Sequence, residues 1–358
     1  AATIHGPMQT WLDSSQTYLY IAEYGGDTAH RVRRVDLFSH TVTTLAGTGF
    51  GGSSGDGFAA SSADLNGPHG VWGNSVDELY ISEHTSGQVR VVSLSSGIIE
   101  KYAGTGTLGY NGDNIAATSA QLYYPAYLAG DTAGNLFIAD NTNHRIRKIS
   151  YSTGIISTYA GDGLTGSVNN DNAVATAGNV PYPLGLFLLP STNDLYITSA
   201  WHQVRKVEGS TGALTTLAGD IDTPAFGGDG LAAIDAFLYN PTGIWVSPYG
   251  EIFVADTFNN RIRFIDESSG IIGTVAGNSS TPAFSGDGQM ATGAELSSPT
   301  SVLGFEDSTI YLSDSDNNRI RALIKSIGET TMNLTSFEPT AVPSFEPTAV
   351  PSFEPTAV

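Results

Sequence analysis

Seven histidines, His5, His30, His40, His69, His84, His144 and His202, are the side chains here best suited to metal binding or proton transfer. A metal centre needs several of them, or carboxylates, to converge on one point. His69 follows Pro68 and precedes Val71-Trp72, which puts it at the start of a short apolar strand. His144 and His202 fall in turn surroundings and are expected to be solvated. The sequence holds no Gly-x-Ser-x-Gly elbow, phosphate loop or Glu-containing histidine pair. It also has no cysteine, which removes thiolate catalysis, zinc-thiolate sites and disulfides. The expectation is a protein without a catalytic centre.

The charged residues are more regular than the histidines. An arginine recurs as Arg33, Arg90, Arg147, Arg205, Arg263 and Arg321, taking six of the eleven arginines. An acid precedes five of them at similar spacing: Glu23, Glu83, Asp140, Asp256 and Asp314, with Ser199 in the remaining place. Two readings compete. One is a repeated charge-assisted bond that ties strands together, and the other is a ring of charge that binds a ligand. A feature present in every unit is read as scaffold.

These residues ride on a repeat. Leu19-Tyr20-Ile21-Ala22-Glu23 returns at Leu79, Leu136, Leu195, Ile252 and Ile310, in steps of 60, 57, 59, 57 and 58 residues. Each unit carries four short apolar runs, such as Val71-Trp72, Leu79 to Ser82, Val89 to Val92 and Ile98 to Ala103. β-Branched residues, alternation and Gly/Asn/Asp gaps mark them as strands. Four antiparallel strands per unit make a blade, and six units close a β-propeller. A solenoid is the rival, but its repeats are shorter and need polar caps. Linear reading draws each blade from consecutive chain, so the ring would close by packing rather than by a shared strand.

Stretches such as Leu136-Phe137-Ile138-Ala139-Asp140-Asn141-Thr142-Asn143-His144-Arg145-Ile146-Arg147-Lys148, and Ile252 through Arg263, resemble NHL repeats. The resemblance spans roughly residues 1 to 330. It implies the propeller fold but no single activity, since the family includes extracellular sensor and adhesion domains, RNA-binding modules and a lyase. The lyase would need a cage of histidines or carboxylates around the central channel. Where His69 stands, later units have Ala126, Leu184, Thr242 and Thr300, which is no cage. His69 and Trp72 remain as candidates for a ligand at the channel mouth.

Between blades runs a second signature: Gly55-Asp56-Gly57, then Ala60, Ala63, Leu65 and Pro68, echoed at Gly112-Asp113, Gly228-Asp229-Gly230 and Gly286-Asp287-Gly288. Glycine supplies unusual backbone angles there and aspartate bonds nearby backbone. The alanine spacing predicts one helical turn. Ca²⁺ is the competing reading, although the ligand density of a calcium loop is missing. The first residues match only the second half of this linker, as expected either of a processed N-terminus or of a sequence that begins late.

Composition narrows the partners. Thirty-five acids against fifteen bases give a formal charge of −20, which disfavours nucleic acid. No run of 18 apolar residues occurs, so no membrane-spanning helix is expected. From residue 336 the chain reads Ser-Phe-Glu-Pro-Thr-Ala-Val-Pro in tandem. Its prolines, Pro339, Pro343, Pro347, Pro351 and Pro355, favour polyproline II and are hydroxyproline candidates. Its hydroxyls, Ser336, Thr340, Ser344, Thr348, Ser352 and Thr356, are O-glycosylation candidates. Asn278 and Asn333 each begin an N-glycosylation triplet.

The expected architecture is therefore a propeller over 1–335 and an extended tail over 336–358. The leading functional expectation is a secreted structural glycoprotein, with propeller beads and glycan-coated rods assembling with copies of itself. A ligand-binding or adhesion propeller on a stalk is the alternative. A metal-dependent hydrolase or lyase is the third.

Overall fold

The computed structural model describes residues 3–26, 29–74, 76–166, 170–304, 309–325, 332–336 and 340–341. The chain forms six sheets arranged as a six-bladed propeller, each built on four consecutive antiparallel strands. Blade 2 is representative, running outward through Pro68–Gly73, Glu78–Glu83, Gln88–Ser93 and Ile98–Ala103. The second strand of each blade is sandwiched between neighbours. Leu136–Asp140 in blade 3 is therefore buried at every position and reads as an unbroken apolar run. The outer strand Ile155–Ala160 meets solvent and buries only Ile156 and Ala160.

The core is divided among six wedges rather than held in one mass. One wedge joins Tyr80, Val89 and Ala103 of blade 2 to Leu128, Leu136 and Ile138 of blade 3. Another joins Leu19, Ile21 and Val35 of blade 1 to Ile320 of blade 6. Inner strands contact one another around the ring, and Pro7–Leu12 of blade 1 meets Pro299–Gly304 of blade 6. The inner strands close the ring by packing, but the C-terminal Thr340–Ala341 also joins the sheet of blade 1 as a fifth strand, so the expectation of closure without a shared strand does not hold. Thr10 bonds Ser301 through its N–H (3.2 Å) and hydroxyl (2.9 Å), and Thr300 donates to the Pro7 carbonyl at 2.7 Å. A closed ring excludes the solenoid.

The linkers explain the second signature. In the first complete one, Gly55 sits at φ +88°, and an added Cβ would meet the Ala63 backbone at 2.8 Å. Only glycine fits. The expected helical turn is a single 3₁₀ turn, as at Ala60–Ser62 and Ala233–Asp235, with its first alanine buried. Just before it, a two-residue strand such as Phe58–Ala59 pairs with the outer strand of the next blade.

The tail begins later than expected. Ser336, expected as its first residue, ends the outer strand Met332–Ser336 of blade 6 and pairs with Arg321. The reason is Leu334, whose buried side chain joins the wedge between blades 5 and 6 and keeps the alternation going. Beyond it, the Thr340–Ala341 backbone pairs in parallel with Thr41–Val42 of blade 1. Polyproline II has no such sheet partner, so at these two residues the chain departs from the expected form. Pro339, Pro343, Ser344, Pro347, Thr348, Pro351, Ser352, Pro355 and Thr356 lie outside the described residues.

Candidate functional site at the channel mouth

The repeated arginines lie inside the blades. Arg90, Arg147, Arg205, Arg263 and Arg321 are all at most 1% exposed. All but Arg205 reach inward to the acid ending the second strand, and all five reach outward to a linker aspartate. Arg147 pairs with Asp140 at 3.4 Å and Asp113 at 2.9 Å; Arg263 with Asp256 at 3.2 Å and Asp229 at 2.6 Å. Arg321 pairs with Asp314 at 3.3 Å and Asp287 at 2.7 Å; Arg90 with Glu83 at 3.6 Å and Asp56 at 2.5 Å. Arg205, whose blade has Ser199 instead of an acid, keeps Asp171 at 3.1 Å and donates to the Asn179 carbonyl at 3.1 Å. Arg33 reaches Glu23 at 3.5 Å and the Thr3 carbonyl at 3.1 Å. The linker aspartates are thus engaged by guanidinium groups, which is the geometry of a brace between blade and linker. Among the described residues no group of three or more His, Asp or Glu is placed to hold a metal ion.

Burial sets how these acids titrate. Desolvation pushes Glu23 up to about 7 and Asp140 and Asp256 up to about 6, against the opposing pull of their arginines and backbone N–H donors. Glu83 and Asp314 move the same way for the same reason. A carboxyl raised on folding adds stability that is full below its unfolded pKa and lost as pH rises through its folded one.

The mouth of the channel is built where the second linker element meets each inner strand. The residue before each strand-opening proline is left-handed in all six blades: Gly6, Gly67, Tyr124, Tyr182, Asn240 and Ser298, at φ between +43° and +66°. Two of these positions spend a tyrosine where glycine is cheaper, which is the kind of local strain that collects at functional sites. Three histidines hold this ring in place. His30, His144 and His202 accept, through Nδ1, the N–H of Gly67 (3.0 Å), Tyr182 (3.1 Å) and Asn240 (3.1 Å). Asn260 and Asn318 do the same for Ser298 and Gly6, each at 2.8 Å. His144 is therefore a buried inter-blade acceptor and not the solvated turn residue expected.

Blades 1 to 3 add a stacked cluster. His84 lies flat on Tyr124, with centroids 4.8 Å apart and planes 7° apart. On its other side it stacks on His69 at 4.8 Å and 22°. Tyr24 meets both imidazoles edge-on, at 5.7 Å and 5.8 Å. His69 is 7% exposed, and its Nδ1 has no hydrogen-bond partner. Below it the channel is closed. Tyr127 of blade 3 reaches across the ring to donate to the Thr300 carbonyl of blade 6, opposite, at 2.7 Å. Gln9 plugs the space beneath, accepting from Val71 N–H (3.0 Å) and Leu128 N–H (2.9 Å) and donating to the Leu128 carbonyl (2.7 Å). The mouth is a cup whose lining includes Tyr24, His69 and Tyr182 with Thr242, Ser298 and Thr300; His84 and Tyr124 stack behind His69 and do not line it.

Trp72 is not in this cup. His69 and Trp72 line cavities at opposite ends of the same inner strand. Trp72 stacks on Tyr80 at 5.8 Å and covers Gly130, which ends the next inner strand, as Trp11 covers Gly73 and Trp245 covers Gly304. It is one of a set of inter-blade wedges. Tyr24, His84, Tyr124 and Tyr127 were not anticipated. The available signal was Tyr124-Pro125 standing where the first two units have Gly-Pro.

Both imidazoles are held neutral. Burial drives His84 down to about 4, and burial followed by the neighbouring His84 charge drives His69 well below its ordinary value. A base depressed on folding contributes stability that is full above its unfolded pKa and lost as pH falls through its folded one. The acids and histidines therefore oppose each other, and the thermal midpoint should peak between about pH 5 and 6.5 and fall on either side. A melting series across pH 4 to 9 checks this; a midpoint still rising at pH 8 would contradict it.

Of the two N-linked candidates, Asn278 is exposed in a loop, with its amide donating to the Gly293 carbonyl at 2.8 Å. Asn333 lies in a strand paired on both edges, with Met290 and Ile324. Asn278 is the more open position.

No protein-family model matches the chain. It is 29% identical over 279 residues to the Arabidopsis thaliana chloroplastic protein SUPPRESSOR OF QUENCHING 1, covering 75% of this chain and 26% of that protein. It is 27% identical over 272 residues to human NHL repeat-containing protein 2, covering 68% and 37%. Human Teneurin-4 is 31% identical over 238 residues, 60% of this chain and 8% of its own length. The chain thus spans well under half of each relative. Among solved structures, an auxiliary nutrient binding protein from Bacteroides thetaiotaomicron aligns with a TM-score of 0.65 at 15% identity, covering 94% of this chain and 70% of that one. Virginiamycin B lyase from Staphylococcus aureus aligns with a TM-score of 0.54 at 16% identity, covering 93% and 86%. The human relative and the six-bladed ring support the NHL-propeller resemblance, and the bacterial structures support the fold.

Proposed function

We propose that this chain is a non-enzymatic, extracellular ligand-binding propeller whose cup takes a flat ring, of a sugar or an aromatic group. The observation that carries this reading is a cup lined by Tyr24, His69 and Tyr182 together with Thr242, Ser298 and Thr300, above the floor made by Tyr127. The aromatic side chains of the lining favour the apolar face of a ring, and the hydroxyls of Thr242, Ser298 and Thr300 offer hydrogen bonds to its edge. The unpaired His69 Nδ1 offers a buried acceptor or donor beneath. A nutrient-binding propeller of similar fold is in keeping with this reading.

A glycan array probed with the whole chain, followed by titration of the best ligand, tests it. Tyr24→Ala and Tyr182→Gly, the latter keeping the left-handed backbone, should each weaken binding about fivefold, as lost ring contacts of about 1 kcal/mol require. Unchanged affinity in both variants, with melting preserved, would rule the cup out.

A second reading, the bead of a glycoprotein fibre or coat, rests on the tandem tail. Glycopeptide mapping tests it: unmodified hydroxyls and prolines across 336–358 in native material would remove its support.

A further inference from the structure

The outer edge of a blade is a row of unpaired backbone groups, and this protein covers it repeatedly. In blades 2, 3, 4 and 6 the cover is the two-residue strand of the preceding linker: Phe58–Ala59, Ile115–Ala116, Ala173–Val174 and Gln289–Met290. In blade 5 a bridge from Ala232 to Ile271 serves. These contacts fall on the same positions of each outer strand, as at Ile98 and Ile99 in blade 2. In blade 1 the equivalent positions are Thr41 and Val42. There the cover is Thr340–Ala341, from the tail, and it runs parallel where the linker strands run antiparallel. The tail here covers the edge positions that linker strands cover in other blades.

Thr340–Ala341 belongs to the sequence Pro-Thr-Ala-Val, which recurs at 347–350 and 355–358. Residues 339–358 thus hold three copies of this sequence, and the first pairs with the acceptor edge of its own chain. A short strand makes the same main-chain bonds to an edge whether it comes from its own chain or from another. We propose that the outer edge of blade 1 is a strand-acceptor site for this repeat, and that in concentrated protein its occupant is the tail of a second copy. Tail to blade is a heterologous contact, so it propagates into an open chain of propellers. This site is separate from the cup and requires no ligand.

The absence of cysteine makes the test clean. Full-length chains carrying only Thr41→Cys are mixed with full-length chains carrying only Thr356→Cys and oxidised mildly across a concentration series. The 41-to-356 disulfide can form only between chains. The expected result is a mixed dimer exceeding both same-variant dimers at least about tenfold, because docking raises the local thiol concentration. Adding Ala341→Pro, Ala349→Pro and Ala357→Pro to both partners should return the mixture to statistical proportions, with melting unchanged. Statistical proportions in the parent mixture at every concentration, while a Thr41→Cys/Thr340→Cys chain closes efficiently on itself, would restrict the contact to one chain and overturn the proposal.

Discussion

Arg147→Ala should destabilise the fold by about 3–5 kcal/mol, the cost of leaving a buried charge without its partner. Arg147 is fully buried, and its loss removes the counter-charge from Asp140, which is also fully buried. Asp140 would retain only the Tyr123 N–H at 2.7 Å and the Asn143 amide at 2.8 Å. The linker would lose its anchor as well, since Arg147 also holds Asp113 and the Gly112 carbonyl, each at 2.9 Å. The deficit should be smaller at pH 5 than at pH 8. Asp140 is already pushed up to about 6 by burial and would rise further without Arg147, so acid neutralises the orphaned carboxylate. Arg33→Ala should cost less, because Arg33 is 13% exposed and pairs with Glu23 at the longer distance of 3.5 Å. Denaturant melts of both variants decide the matter. A change for Arg147→Ala below about 1 kcal/mol would put the brace among ordinary surface ion pairs.

Gly185→Ala should cost at least about 3 kcal/mol, the upper range for overpacking. Gly185 lies in the inner strand of blade 4, where the backbone of blade 5 comes closest. A Cβ there would run into the Thr242 carbonyl oxygen and meet Thr198 Oγ1 at 2.7 Å. Neither can yield, since Thr198 Oγ1 accepts the Gly185 N–H at 2.8 Å and donates to the same Thr242 carbonyl. Gly273, on the outer strand of blade 5, is the control: a Cβ there meets nothing within 4 Å. Gly273→Ala should be neutral or stabilising by up to about 1 kcal/mol, through a less flexible unfolded chain. Equal melting points for the two alanine variants would show that the inner strands are not held at backbone contact.

Much of the ring was legible in the chain because each blade repeats a local pattern. The run Leu136–Asp140 and its five counterparts mark the buried second strand, and the arginine seven residues beyond Asp140 marks the third. The linker glycines declared their left-handed angles, since only glycine tolerates the approach of Gly55 to Ala63. Site residues that break the repeat were harder to place. Trp72 and His69 are three positions apart on a strand only six residues long, and so fall at its opposite ends. His84 and Tyr124 come from different blades, and their stacking depends on how those blades are packed.

By itself the sequence determined the blade count, the strand content and the positions of the ring's charges, because these follow from local periodicity repeated at a near-constant interval. Only the tertiary structure decided that the channel is floored by Tyr127, that His144 and His202 brace neighbouring blades, and that the tail covers the edge of blade 1. Those contacts join residues tens to hundreds of positions apart. Side-chain periodicity, which records only what lies on one element, carries no trace of which distant element will pack against it.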